Sequence, residues 1–257
     1  MDKIYLSVVI PCYNEKENLQ RGVLDEVRDY LKRQPYTWEV IIVNDESPDG
    51  SDDLVQKFCE NNSGFRLISI KHGGKAIAVY SGVKETKGEI TLFTDMDQST
   101  PIVELAKILP KFNEDFDIVI GSRGLERKNS SLFRKLASFI FRNFREILLS
   151  SHVVDTQAGF KAFRTVVAKE LFSLLTIIKN TGQANGWTVS AFDVELLTIA
   201  EIRGYKIAEV SIVWEDRDES IAKAKERKQG KFIKESIDMA REVIRVKYNM
   251  MVGRYKK

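Results

Sequence analysis

Two carboxylates two residues apart, Asp95 and Asp97, stand in the run Thr91 to Pro101, which reads TLFTDMDQSTP. An apolar strand beginning at Ile90 delivers this pair at its carboxyl end. In an extended segment residues i and i+2 lie on one side of the backbone, so the two acids can share a divalent cation. A parallel sheet would place them in the crevice where α/β proteins bind ligands, the position a metal-bridged diphosphate needs. Mg²⁺ or Mn²⁺ suits such an all-oxygen site. A second anion-binding candidate is the loop Lys71-His72-Gly73-Gly74-Lys75, which opens a helix with backbone N–H groups and a lysine at its start. The Walker spacing is absent from it.

These residues need elements to hold them, and the hydrophobic pattern supplies a repeating strand and helix order. Strands are expected at Ile4–Ile10, Trp38–Val43, Phe65–Ile70, from Ile90, and at Phe116–Ile120. Helices are expected after Asn14, with Leu19, Val23, Val27, Tyr30 and Leu31 on one face, at Ser51–Glu60, from Lys75, and at Ile102–Phe112. Asn14 and Glu17 read as a capping pair, and Pro101 as a first-turn residue. The order predicts an α/β fold with a doubly wound, mostly parallel sheet flanked by helices. The loops after successive strands then carry Tyr13 and Glu15, Asp45 and Asp49, Gly74 and Lys75, and Asp95 and Asp97 to one edge. The run Asp45 to Gly50 imitates the start of a calcium loop, but its twelfth position is Gln56 and a strand precedes it, so calcium sensing is excluded.

With 257 residues and 43% hydrophobic content the chain can bury a full core. No apolar run approaches the roughly 18 residues that cross a bilayer, and the amino terminus enters a strand pattern without signal-peptide architecture. The expected location is the cytoplasm, or peripherally the cytoplasmic face of a membrane. Cys12 and Cys59 read as reduced, mostly buried thiols, with no zinc spacing. The net charge of +3 is uneven: residues 217–257 carry 13 Lys and Arg against 6 Asp and Glu. That basic segment suits an anionic membrane surface or a phosphate-bearing lipid. It lacks the aromatic interleaving or motif of a nucleic-acid binder, so no nucleic-acid partner is expected.

The ordered set Val9-Ile-Pro11-x-Tyr13-Asn-Glu15, Val43-Asn-Asp45-x-Ser47-x-Asp49, His72-Gly-Gly-Lys75-x-x-Ala78 and Asp95-Met-Asp97 resembles the family 2 inverting glycosyltransferases of GT-A fold. Three later stretches, Asp155-Thr-Gln157-Ala-Gly-Phe-Lys161-x-Phe163, Phe192-Asp193-Val-Glu-Leu-Leu197 and Ile207 to Trp214, resemble the polyprenyl-phosphate glycosyltransferases, dolichyl-phosphate β-glucosyltransferases among them. The resemblance implies a nucleotide-sugar donor, UDP-glucose, whose hexose passes to a lipid-phosphate acceptor. It implies a donor site over Pro11, Tyr13, Glu15, Asp45, Gly74, Lys75, Asp95 and Met96, with Asp95, Asp97 and Asp193 catalytic and Asp95 and Asp97 holding the metal. Residues 1–125 would form the donor half and 126–216 the acceptor half of one catalytic domain, with 217–257 a basic helical segment.

A phosphomonoester is already an anionic nucleophile at neutral pH, so such an acceptor needs positive charge more than a base. Arg123, Arg134, Lys135 and Arg217 are the candidates to hold it. Asp193 and Asp155 are the candidates if a base is used, and Gln157 shares the acceptor loop with Asp155. The alternatives are transfer to a hydroxyl of a glycan or protein, transfer of mannose from GDP-mannose to a polyprenyl phosphate, or a catalytically silent nucleotide-sugar binder. An amphipathic helix over 131–149, with Phe133, Leu136, Ala137, Ile140, Phe144, Ile147 and Leu148 flanked by Arg134, Lys135, Arg142 and Arg145, fits a membrane interface, the core or a dimer contact. The carboxyl-terminal helix repeats that composition, with Phe232, Ile233, Ile237, Ala240 and Ile244 on one side. A homodimer or a separate membrane-anchoring partner stays open.

Overall fold

Seven short strands, the inner ones buried on both sides, make the frame: β1 (Leu6–Cys12), β2 (Trp38–Asn44), β3 (Phe65–Ser69), β4 (Ile90–Thr94), β5 (Ile118–Ser122), β6 (Phe160–Arg164) and β7 (Ile207–Ser211). The computed structural model describes residues 3–123, 153, 155–179, 192–215, 217 and 229–255. The strands form one sheet in the order β3-β2-β1-β4-β6-β5-β7. All run parallel except β6, which is antiparallel to both β4 and β5.

Alternation along the strands divides the core into two layers. Val9, Ile41, Val43 and Phe93 point to one face, where α4 (Lys75–Glu85), α6 (Thr165–Leu174) and α8 (Phe192–Ile202) cover them. Val8, Ile10, Val40, Ile42 and Leu92 point to the other, under α2 (Val23–Leu31), α3 (Ser51–Asn61) and α5 (Leu105–Ile108). Both faces of β1, β2 and β4 are covered, which is why these central strands read as continuous apolar runs. The amphipathic α/β pattern in the sequence is therefore realised as a doubly wound sheet.

Several local expectations change. β1 runs on to Cys12 and β5 to Ser122, each two residues past the expected end, so the site loops begin later. The helix expected after Asn14 is two: α1 (Lys16–Gln20) and α2, separated by Gly22 at φ 86°. Asn14 itself is left-handed at φ 57° and is no helix cap. The helix expected at 102–112 is broken into a 3-10 turn (Ile102–Glu104), the single turn α5, and a second 3-10 stretch (Leu109–Glu114). Pro110 explains that break, because its ring removes an N–H and crowds the preceding turn. Pro101 precedes the first 3-10 turn, with ψ 141°.

A single-turn α7 (Thr176–Lys179) follows α6, and the long α9 (Gln229–Met251) packs against α8. Val243, Val246 and Tyr255 are buried in the same layer as Val194 and Leu197. At this contact Glu195 is fully buried and accepts hydrogen bonds from the Tyr255 hydroxyl (2.7 Å), the Thr176 hydroxyl (2.7 Å) and Arg245 Nη2 (3.3 Å). A buried carboxylate is tolerated only with such partners. Burial and the adjoining Glu195 push the Tyr255 hydroxyl above its ordinary pKa, so it stays a donor. Removing that donor in Tyr255→Phe is expected to cost about 1–3 kcal/mol, because the acceptor left behind remains buried. Urea unfolding monitored by circular dichroism, with an unchanged slope, is the measurement.

Candidate active site

At the carboxyl edge of the parallel strands, four loops are tied to one another by their own side chains. Asn14 N–H donates to Ser47 Oγ (3.3 Å), Glu15 N–H to Ser51 Oγ (3.0 Å) and Lys16 N–H to Asp49 Oδ2 (3.1 Å), joining the β1 and β2 loops. The Tyr13 ring stacks on His72 with centroids 4.5 Å apart. Asp45, which ends up buried, accepts from Gly73 N–H (2.7 Å) and Gly74 N–H (2.9 Å) and lies 3.0 Å from His72 Nδ1. Gly74 holds φ 84° and ψ 171°, a conformation reserved for glycine. Asp45 thus builds the glycine loop. Pro11 is buried within β1, opposite Val43, and Glu15 accepts from Asn18 Nδ2 (2.6 Å).

Asp95 lies at the point where β4 ends and a turn begins, so the extended i and i+2 geometry expected of the pair does not occur. Its carboxylate is 38% exposed and sits 2.5 Å from the Lys75 ammonium, which α4 presents from its first residue. Burial draws the Lys75 pKa down, but Asp95, then Asp193 and Asp97, outweigh it and the net shift is upward. Lys75 is therefore a cation at the rim. Gln98, buried with φ 49°, donates from Nε2 to the Asp95 carbonyl (2.9 Å). Asp97 faces its own turn: Ser99 N–H (2.8 Å) and Ser99 Oγ (2.9 Å) donate to its two oxygens, and Arg21 Nη2 donates to its carbonyl (2.8 Å). The Met96 side chain is 2% exposed and packs in the core.

β6 brings in the opposite wall. Because it runs antiparallel, its amino end meets the carboxyl end of β4, with Phe160 opposite Thr94. The residue before it, Gly159, presses against Asp95: a Cβ there would lie 1.9 Å from Asp95 Oδ2. Lys161 is fully buried, with its ammonium 2.8 Å from Asp193 Oδ1, bonded to the Ala158 carbonyl, and 5.2 Å from the Phe93 ring centre. Asp193, in the first turn of α8, is thus an ion-pair partner. The lysine is the residue that reading for acids overlooked. A charge inside the apolar strand Phe-Lys-Ala-Phe was its signal.

The described cations expected to hold an acceptor phosphate, Arg123 and Arg217, are also engaged. Arg123, just past β5, grips Asp155 through Nε and Nη2, both at 2.8 Å, while its own N–H donates to Oδ2 (3.0 Å). Its guanidinium lies 5.9 Å from the Trp214 ring centre, and Asp155 N–H donates to Glu209 Oε1 (2.8 Å). Burial pushes the Asp155 pKa up, but the Arg123 bonds outweigh it and hold the carboxyl below its ordinary range. That disfavours Asp155 as a base. Gln157 sits in the turn between Asp155 and Gly159. Arg217 forms an ion pair with Glu26 (2.7 Å) and donates from its backbone to Ser99 Oγ (3.3 Å), beside the Asp97 turn. Arg134, Lys135 and the helix expected over 131–149 lie outside the described residues. Cys12 and Cys59 are free thiols, with Cys12 buried and raised in pKa by that burial.

Among the described residues there is no cluster of three or more His, Cys, Asp or Glu around a common point. Mg²⁺ does not require one, because it is commonly held by one or two carboxylates with the remaining oxygens from phosphates and water. Asp95, part exposed, and Asp97, oriented by Ser99, match that oxygen-only donor set.

A sheet edge that gathers a glycine loop, an Asp-x-Asp turn and paired cations lies at the carboxyl ends of the strands, where α/β folds bind their ligands. Mannosyl-3-phosphoglycerate synthase from Rubrobacter xylanophilus has the same fold, with a TM-score of 0.62 at 18% identity over 99% of this chain and 76% of that one. Glucosyl-3-phosphoglycerate synthase from Mycobacterium tuberculosis, solved with Mn²⁺, UDP and glucosyl-3-phosphoglycerate, gives 0.59 at 19% identity over 98% and 80%. Residues 7–172 match the model of Glycosyl transferase family 2, and the chain belongs to that family and is a glycosyltransferase. Dolichyl-phosphate beta-glucosyltransferase of Dictyostelium discoideum is 32% identical over the whole chain and 78% of its own length. The human protein of that name is 34% identical over 81% of the chain and 67% of its own.

Two substitutions test the geometry. Asp155→Asn leaves a buried guanidinium unpaired and is expected to cost about 3 kcal/mol. Since the folded pKa is lowered, the wild-type contribution is present above roughly pH 4 and disappears as pH falls through the folded value. Wild type should therefore lose stability on acidification more steeply than the variant, as read by thermal melts across pH. Gly159→Ala must displace Asp95, and kcat/KM for sugar transfer is expected to fall about 100-fold with little change in Tm.

Proposed function

We propose that the chain transfers a glucosyl residue from UDP-glucose, with inversion, to a dolichyl or other polyprenyl phosphate at a membrane face; the glucosyl group and the lipid-phosphate acceptor are supported by the names of dolichyl-phosphate beta-glucosyltransferases matched over nearly all of this chain. The observation that carries the acceptor class is the Lys161–Asp193 pair. Asp193 Oδ1 is already taken by the Lys161 ammonium (2.8 Å), which ties the carboxylate to the scaffold instead of leaving it open to an incoming hydroxyl. A phosphate monoanion or dianion needs no base.

In this reading Tyr13, Glu15 and the Asp45-built loop receive the nucleotide, and Lys75 balances the diphosphate. Asp95 and Asp97 hold Mg²⁺ or Mn²⁺, with Ser99 orienting Asp97 as hydrogen-bonded neighbours orient metal-bound carboxylates. The cation, when bound, supplies Lewis-acid charge to the departing diphosphate. Lys161 fixes the rotamer of Asp193 beside the reacting sugar. Arg123, oriented by Asp155, and Arg134 and Lys135 hold the acceptor phosphate, while Arg217 steadies the Asp97 turn. Residues 1–125 act as the donor half, 126–216 as the acceptor half, and 217–257 as the basic helical segment.

The test is transfer from radiolabelled UDP-glucose to detergent-dispersed dolichyl phosphate, with Mg²⁺, with Mn²⁺ and with EDTA. Lipid-linked glucose is expected only with metal, and Asp95→Asn should lower the rate roughly 100-fold or more. Turnover of GDP-mannose in place of UDP-glucose, or of glycan hydroxyls in place of the lipid phosphate, would overturn the assignment.

A further inference from the structure

The outer face of α9 is apolar where a helix of a folded chain is ordinarily polar. Ile244 (56% exposed), Tyr248 (58%), Met251 (74%) and Val252 (51%) follow at i, i+4, i+7 and i+8 and so line one side. The opposite side carries Val243, Val246 and Asn249, all buried. The helix therefore has two apolar faces, and only the inner one has a partner among the described residues. In the sequence Ile244 falls on one apolar stripe with Ile233, Ile237 and Ala240. The structure turns it away from the core.

Charge indicates what could cover the outer face. Residues 240–257 hold six Lys and Arg and one acid, Glu242. Glu242 is already paired with Arg245 (2.6 Å), which also reaches Glu195. The exposed Arg241 and Arg254, and the part-exposed Lys247, flank the apolar side chains. Aliphatic residues, a tyrosine and a flexible methionine bordered by cations match the boundary between lipid headgroups and acyl chains. A second copy of the same basic face would bring like charges together.

The position of this face matters for the chemistry. Its inner side is bonded to Glu195 through Arg245 and Tyr255, and Glu195 lies two residues from Asp193 in the first turn of α8. The outer face is thus one helix removed from the acceptor side of the rim. The geometry points to Ile244, Tyr248, Met251 and Val252, with Arg241, Lys247 and Arg254, as the surface that seats the enzyme on an anionic bilayer and brings the rim to a membrane-borne acceptor. This rests on the reading of the acceptor as a membrane lipid.

The experiment is co-sedimentation of the full chain with phosphatidylcholine vesicles, with and without phosphatidylglycerol, at low and high salt. Binding is expected only with the anionic lipid and should weaken with salt. The double variant Ile244→Ser/Met251→Ser, altered only at exposed positions, should bind about tenfold less with an unmoved Tm. Its transfer to a short-chain, water-soluble polyprenyl phosphate should match wild type, while transfer to vesicle-embedded acceptor falls with binding. As a second readout, Tyr248→Trp should gain a blue-shifted emission component on anionic vesicles. The proposal is overturned if wild type ignores these vesicles, if the double variant binds as wild type does, if the tryptophan does not shift, or if sizing shows two copies joined by this face. Should neither acceptor turn over while binding still depends on the face, the docking surface stands and the acceptor assignment falls.

Discussion

The carboxylate of Asp95 is confined between the Lys75 ammonium on one side and the α-carbon of Gly159 on the other, and the rest of the rim is arranged around that confinement. Lys75 can reach it only because α4 starts directly at the glycine loop, which Asp45 folds with two N–H bonds. Gly159 can reach it only because β6 enters the sheet reversed, so that its beginning adjoins the end of β4. A parallel β6 would begin at the far edge and bring neither Gly159 nor Asp155 to the site. One antiparallel strand in an otherwise parallel sheet is thus what closes the crevice.

Charge at this edge is held in matched pairs: Lys75 with Asp95, Lys161 with Asp193, Arg123 with Asp155 and Arg217 with Glu26. Fully or largely buried pairs such as the second and third cost desolvation that their attraction only partly offsets, so they are weak devices for stability. They are good devices for preorganisation. Each fixes a rotamer before any ligand binds, and in the proposed reading an arriving diphosphate exchanges one anionic partner for another with little reorganisation. The part-exposed Lys75–Asp95 pair is the one most open to that exchange, whereas Lys161, enclosed by Phe93 and the Ala158 carbonyl, is held in place.

Where local sequence determines local structure, the residues were readable in advance. The apolar strands, the glycine loop and the acidic turn after β4 all announce themselves through periodicity and turn chemistry, and together they placed the ligand edge. Long-range pairings were not readable. Nothing near Arg123 in the chain indicates that Asp155 will absorb its guanidinium, and nothing near Asp193 indicates Lys161. Residues i and i+2 of an extended strand would place both acids of the Asp-x-Asp pair on one side, but the strand ends at Thr94. The turn makes them different, since Ser99 captures Asp97 while Asp95 faces Lys75. The Met96 side chain between them points back into the core.

The stretch Phe192 to Leu197 shows how one short segment serves both chemistry and architecture. Residues 193 and 195 are two apart on a helix and so point in different directions, roughly 200° around the axis. Asp193 therefore turns to Lys161 at the rim, while Glu195 turns inward to Thr176, Arg245 and Tyr255. The helix that carries Asp193 is in this way fastened to α9 and the turn that follows it by a buried acid. Apolar packing by Val243 and Val246 would hold α9 against the core but allow it to slide along its axis, because hydrophobic contact is not directional. The Glu195 bonds define one register. The carboxyl-terminal helix is consequently part of the scaffold that sets where Asp193 stands, and its outer face is carried in fixed relation to the rim.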